Sequence, residues 1–231
     1  KRSTTALHEE ARRLGIQANP KARAYGLPLV ASHVGGDTAA DLVAIDMASQ
    51  DEVVMLVDVG TNTEVVVGHA GRMLTASCPA GPAFEGGLIK YGMPGCDGAI
   101  ESVRLTNGHF EYETIGGVEP RGLCGSGLID LLAELRRNGR MTPKGVFPNK
   151  LYEMPIVPAH GITFSREDAS NLAQAKAANY CGQLIVLRKF GINPRDITKL
   201  YLAGGFANYV NVRNAIEIGF LAPVPEDRIL K

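Results

Sequence analysis

Leu56-Val57-Asp58-Val59-Gly60-Thr61-Asn62-Thr63-Glu64-Val65-Val66-Val67 is the stretch on which the fold turns. The β-branched run from Val53 to Val57 predicts a buried strand. Asp58 to Asn62 then make a turn, and Glu64 to Gly68 a second strand. His69-Ala70-Gly71-Arg72 forms a tight connection to a third strand, Met73 to Ser77. Three strands joined by short turns give an antiparallel meander. A glycine and hydroxyl turn after an acidic residue can present backbone N–H groups and hydroxyls to a phosphate. Asp58 can hold Mg²⁺ there, through water, because Mg²⁺ dehydrates reluctantly. The plain alternative is an ordinary β-turn.

Outward from that hairpin, glycine marks three further points. The chain has 27 Gly in 231 residues, about 12% against a usual ~7%. No repeat period lies behind the excess, so a collagen-like or low-complexity chain is excluded. Ala80-Gly81-Pro82-Ala83-Phe84-Glu85-Gly86-Gly87 places Gly81-Pro82 at the start of a short helix, Phe84 to Tyr91, where free N–H groups suit an anion or simply cap the helix. Gly122-Leu123-Cys124-Gly125-Ser126-Gly127 precedes an amphipathic helix reaching Arg137. It offers a second helix N-terminus, or close helix packing. Leu200-Tyr201-Leu202-Ala203-Gly204-Gly205-Phe206 is a strand running into a Gly-Gly turn, which lets backbone approach a flat ring or sugar, or is a tight βα connection.

Other elements complete an α/β chain. His8 to Leu14 predicts the end of a helix with Gly15 as its C-cap. Asp37 N-caps a helix ending near Ser49. Asn107-Gly108 joins a hairpin, Ile100 to Leu105 and His109 to Ile115. Residues 140–160 form an irregular connection. Ser165 to Asp168 open a long helix that Gly191 closes after Phe190. Asp196 to Leu202 is a buried strand and Val212 to Ile218 a last helix.

Composition narrows the function classes. Lys+Arg and Asp+Glu number 24 each, giving zero net charge, which argues against nucleic-acid or anionic-membrane binding by bulk charge. No run of 18 uncharged apolar residues spans a membrane. Cys78, Cys96, Cys124 and Cys181 form no C-x-x-C pair, so no zinc ribbon or ferredoxin-type cluster is present, and reduced thiols of a cytoplasmic protein are expected.

The order of the pieces resembles the second half of the actin, sugar-kinase and heat-shock-chaperone ATPase superfamily. V-G-G-D-T-A-A, V-D-V-G-T-N-T-E-V-V-V-G, A-G-P-A-F-E-G-G-L-I-K-Y-G-M, L-C-G-S-G-L-I-D and L-A-G-G-F-A-N-Y resemble, more narrowly, the C-terminal domain of the reductive activators of corrinoid enzymes. The resemblance implies a ribonuclease-H-like lobe with a mixed sheet, an antiparallel meander and flanking helices. It divides the chain into residues 1–26, an N-terminal helix and linker, and 27–231, the lobe, with a hairpin and helix insertion at about 98–160.

That family implies a protein that uses ATP to return cob(II)alamin to cob(I)alamin in a methyl-transferring corrinoid protein, its expected partner. ATP phosphates would lie at Gly60, Thr61 and Asn62, and near Gly81 and Pro82. Adenosine would lie at Gly204, Gly205 and Phe206. Asp58 would serve as the catalytic carboxylate, orienting Mg²⁺ or water. Lys176 is a candidate ribose or phosphate contact, or a solvated helix lysine. A two-iron two-sulfur cluster is expected only in an upstream domain, and a first lobe is expected there too. The chain therefore reads as a C-terminal portion that alone binds ATP weakly or not at all. A homodimer is left open. Two other classes remain: a small-molecule kinase or hydantoinase-like ATPase of the same superfamily, and a non-catalytic actin-like docking module.

Overall fold

The computed structural model describes residues 5–31, 33–205 and 207–231. Phe206, one of the expected adenosine contacts, lies outside them. In chain order the strands are β1 Leu7–Glu10, β2 Arg23–Gly26, β3 Val54–Val59, β4 Thr63–His69, β5 Arg72–Cys78, β6 Ala99–Thr106, β7 His109–Thr114, β8 Gly122–Leu123, β9 Glu153–Val157, β10 Ile162–Ser165, β11 Lys199–Ala203 and β12 Ile229–Leu230. The α-helices are α1 Gly36–Ala44, α2 Gly125–Arg137, α3 Arg166–Phe190 and α4 Val212–Glu217.

The central sheet has five strands in the order β12-β11-β3-β4-β5. The meander β3–β4–β5 is antiparallel, as its short turns dictate, and β11 returns parallel to β3 with Ala203 opposite Asp58. The Asp58–Asn62 turn and the Gly204-Gly205 turn therefore leave the sheet side by side at the same end. Gly204 is needed for that contact: its φ is +109°, and a Cβ there would lie 2.1 Å from the Val59 carbonyl oxygen. A three-stranded sheet, β7-β6-β8, carries the Asn107-Gly108 hairpin, whose turn residues have φ of +52° and +83°.

Side-chain alternation divides β3 between two environments. Met55, Val57 and Val59 join the main core with Val65 and Val67 of β4 and with Leu172, Ala175, Val186 and Leu187 of α3. Val54, Leu56 and Val66 face the other way, onto Met47 with Leu42 and Ile45, the segment of α1 and the 3-10 turn Met47–Ser49. Helix α3 begins where Ser165 and Asp168 form a reciprocal capping box, and ends at Gly191 in the left-handed conformation.

Four expectations are corrected. The segment His8 to Leu14 is strand β1 followed by a 3-10 turn, Ala11–Leu14, and it pairs with β2; Gly15 still closes it with φ +74°. Helix α1 is capped by Gly35, with Asp37 inside its first turn, and stops at Ala44. Phe84 to Tyr91 is not a helix: a 3-10 turn, Pro82–Glu85, ends at Gly86, whose Cβ would meet the Met93 backbone nitrogen at 2.3 Å. The 140–160 region contains β9, which pairs with β10 in a hairpin that prolines 155 and 158 conceal in the sequence.

Candidate functional site

The four glycine clusters meet at one cavity of about 630 Å³. The hairpin turn contributes Val59 and Gly60, and the second cluster Phe84 and Glu85. The start of α2 contributes Cys124, Gly125 and Ser126, and Gly205 comes from the turn after β11. Met93, Pro94 and Ile115 form an apolar wall, and Tyr209 stands at the rim, 69% exposed. Such a site, mostly apolar with a few converging polar groups, suits a small organic ligand.

Besides the side chains of Glu85, Glu101, Ser126 and Tyr209, the polar groups are backbone in origin. Helix α2 is 13 residues long, and its N-cap, Cys124, makes no side-chain cap, so first-turn N–H groups open toward the cavity. The helix is locked in place from behind. Cys124 N donates to the Ile100 carbonyl at 3.1 Å, and a Cβ on Gly127 would sit 2.2 Å from that same oxygen. Only glycine allows the helix start to press this closely on β6. The hairpin turn is fixed in turn: Gly60 N donates to Asn62 O at 3.0 Å, and Gly81 N donates to Thr61 O at 2.9 Å.

The structure brings most of the expected site residues together and separates others. Gly60, Thr61, Asn62 and Gly81 form one connected turn, and Gly205 faces the same space with no atom within 4 Å of its Cβ direction. The Thr61 hydroxyl is not free for a ligand; it donates to Glu85 Oε1 at 2.7 Å. Pro82 opens a 3-10 turn of four residues, too short for a helical anion seat. Lys176 is elsewhere. It lines a separate cavity of about 150 Å³ between α2 and α3, near Arg136 and Ile218, where burial and then the Arg136 charge push its amine below the usual lysine range.

Asp58 also departs from expectation. Its side chain falls on the α1 face of the sheet, opposite Val59, and shares a hydrogen bond with Asp41. Burial, then the neighbouring Asp41 and Asp37 carboxylates, push its carboxyl up to about 6. Glu64, on the same face, is pushed up by burial, although the Ser77 hydroxyl donates to it at 2.9 Å. Among the described residues no group of three or more His, Cys, Asp or Glu is arranged to hold a metal. Among the described residues the carboxylates that do line the cavity are Glu85 and Glu101, and no Lys, Arg or His lines it. A polyphosphate entering alone would meet negative charge without a balancing cation; one carrying Mg²⁺ would fit.

A larger cleft of about 740 Å³ lies between the β6–β7 hairpin, α2 and α4. Its central groups satisfy one another. Asn214 donates to Asp130 Oδ1 at 2.7 Å, and Arg137 donates to Asn214 at 2.8 Å and pairs with Glu134 and Glu217. It holds none of the glycine clusters and serves to fasten α4 to α2.

Comparisons with known proteins agree with this geometry. A family described as the C-terminal domain of RACo, the ASKHA domain, matches residues 52–231, and one described as the RACo middle region matches residues 2–50. The two meet after α1. The chain is 34% identical over 233 residues to the corrinoid activation enzyme RamQ of Eubacterium limosum, covering 90% of this chain and 39% of the relative. It is 26% identical over 214 residues to the [Co(II) methylated amine-specific corrinoid protein] reductase of Methanosarcina barkeri, covering 83% of this chain and 39% of that one. A solved structure of a reductive activator for corrinoid, iron-sulfur protein superposes with a TM-score of 0.87 at 35% identity, over 99% of this chain and 39% of that chain. The chain thus spans about two fifths of the length of the relatives it matches.

Proposed function

The chain belongs to the RACo family, with an actin-like ASKHA fold, and from that membership we propose that the protein is an ATP-dependent reductive activator of a corrinoid protein. It would return the cobalt of a methyl-transferring corrinoid protein from cob(II)alamin to cob(I)alamin, one electron being consumed per cobalt. The observation that supports this most is the convergence of all four glycine clusters on one cavity.

In this reading ATP binds with its phosphates between the Gly60–Asn62 turn and the first turn of α2, and its adenosine toward Gly205. The α2 N–H groups and helix dipole favour the phosphate oxygens. Mg²⁺ accompanies the nucleotide and supplies the positive charge that the cavity wall lacks. Asp58 acts from the reverse of the turn: with Asp41 and Asp37 it adds negative potential at this end of the sheet, which draws a cation there through water. The electron comes from a two-iron two-sulfur domain upstream of this segment.

Nucleotide binding can drive an uphill transfer only if it favours one arrangement of the protein over another. Helix α1 belongs to the middle-region match yet touches Asp58 at the back of the phosphate turn, so occupancy of the cavity and the pose of the middle region share a contact. The test is the visible spectrum of a purified cob(II)alamin-loaded corrinoid protein mixed with the full-length protein, reductant and ATP. The cob(I)alamin band is expected only when ATP and reductant are both present. A spectrum that changes equally without ATP would refute the proposal.

A further inference from the structure

Glu101 stands apart from every other acidic residue near the cavity. It sits in β6 where pairing with β7 slips: Ile100 lies opposite Thr114, and Ser102 opposite Glu113. The residue between them is a bulge, a device that re-aims a side chain beside a site. Here it turns Glu101, half-buried, into the 630 Å³ cavity that Gly60 and Ser126 also line. Among the described residues its carboxylate has neither a side-chain hydrogen bond nor an ion pair. Glu85, the other acid of the cavity, is engaged by the Thr61 hydroxyl.

The bulge is held rigidly. The Ile100 carbonyl just before it accepts from Cys124 N and from the Cys124 thiol at 3.4 Å, and Gly127 packs against it. The same contact that opens the α2 N-terminus to the cavity thus sets the carboxylate beside it. A bare carboxylate next to phosphate-seating N–H groups would repel a phosphate. It becomes favourable when a divalent cation lies between them.

We infer that Glu101 is the positioning residue for the nucleotide's divalent cation, a role that rests on the nucleotide reading above. The carboxylate accepts hydrogen bonds from water on the cation, since Mg²⁺ keeps several of its waters. The first-turn N–H groups of α2 take the phosphate oxygens. No residue of the cavity needs to be basic in this arrangement.

The experiment is calorimetric titration of the full-length protein with ATP, once with excess Mg²⁺ and once with EDTA, for the parent, Glu101→Gln and Glu101→Asp. The parent is expected to bind ATP more tightly with Mg²⁺. Glu101→Gln should lose about 10- to 100-fold of that cation-dependent gain, the usual effect of removing an outer-shell carboxylate. Its affinity in EDTA should be unchanged or slightly better. Glu101→Asp, which keeps the charge, should recover part of the gain and guards against a folding defect in the first variant. The Mn²⁺ spin-resonance signal in the presence of ATP reads the bound cation directly and should broaden less in Glu101→Gln. If Glu101→Gln keeps the full gain, or the parent shows none, this inference fails and the nucleotide reading stands. If the parent binds no ATP with or without Mg²⁺, the nucleotide reading itself fails.

Discussion

At the end of β3, Val59 and Asp58 are one residue apart and face opposite sides of the sheet. On the Val59 side the wall is glycine, backbone N–H and apolar side chains, with one unengaged carboxylate, Glu101. On the Asp58 side its carboxyl meets Asp41 of α1, with which it shares a hydrogen bond, and the exposed Asp37 of the same helix adds its charge. The first side is built open for a ligand. The second is a partly buried carboxylate contact, whose burial and mutual repulsion raise Asp58 to about 6. A single strand thus serves two purposes because alternation sends successive side chains to different solvents. A motif such as D-x-G-T therefore names a turn, and the strand decides which of its side chains see the ligand.

The comparison breaks most violently at Gly127. Gly127→Ala would place a methyl 2.2 Å from the Ile100 carbonyl oxygen, so α2 or the bulge must move. Overpacking of this kind costs roughly 3 kcal/mol or more. For a chain of this size that lowers the melting temperature by about 6–12 °C, measurable by circular dichroism. Because the displaced elements are the cavity wall, ATP affinity should fall with it. A variant that melts with the parent would show that the helix start does not press on β6.

The adjacent glycines 204 and 205 sharpen the same point. Gly204→Ala meets the Val59 backbone at 2.1 Å and a φ of +109°, so it should destabilise by about 2 kcal/mol. Gly205→Ala meets nothing within 4 Å and should leave stability within about 0.5 kcal/mol. Its methyl points into space that the nucleotide is proposed to fill, so ATP affinity should drop while the melting temperature holds. Equal effects of the two changes on melting would remove the distinction between a packed glycine and a ligand-facing one.

On the closed side, Asp58→Asn tests the acid pairing. The folded-state carboxyl is raised from 3.8 to about 6, so the native protein holds a proton that the unfolded chain has released. Stability from this group is full below about pH 4 and is lost as pH rises through about 6. Asn mimics the protonated acid at every pH. The melting-temperature difference, variant minus parent, should be near zero at pH 4 and grow to a few degrees above pH 6, about 1 kcal/mol. A difference that stays flat with pH, or that shrinks as pH rises, would mean the carboxyls do not meet.

The sequence made the frame legible where local signals agree. The meander, the Asn107-Gly108 hairpin and α3 with its capping box all lie where periodicity and turn chemistry put them. It failed where prolines or close backbone contacts decide. Pro155 hides β9, and the Gly86–Met93 approach turns an apparent helix into a chain of turns. The convergence of four glycine clusters could be expected from the fold they resemble, yet Glu101 could not, because a bulge is made by pairing. One signal for it did exist. Ile100 and Val103 both enter the core, three residues apart, where a regular strand needs two or four. Two polar residues between inward apolar positions, Glu101 and Ser102, are what a bulge leaves in a sequence.

Lys176 gives the smallest expected effect and draws the outer boundary of the site. It is the single basic residue that the sequence offers the nucleotide, and the structure puts its amine in a different cavity, half-buried between α2 and α3. Lys176→Met keeps the apolar stem and removes the charge. Burial and Arg136 both disfavour that charge, so stability should hold or rise by a few tenths of a kcal/mol. ATP affinity should change less than about twofold, since a screened charge in a separate cavity contributes little. A loss of about tenfold would instead be worth ~1.4 kcal/mol, the size of a direct contact. It would put a cation back among the phosphate ligands, and the balance of charge that assigns Mg²⁺ and Glu101 to the cavity would have to be redrawn.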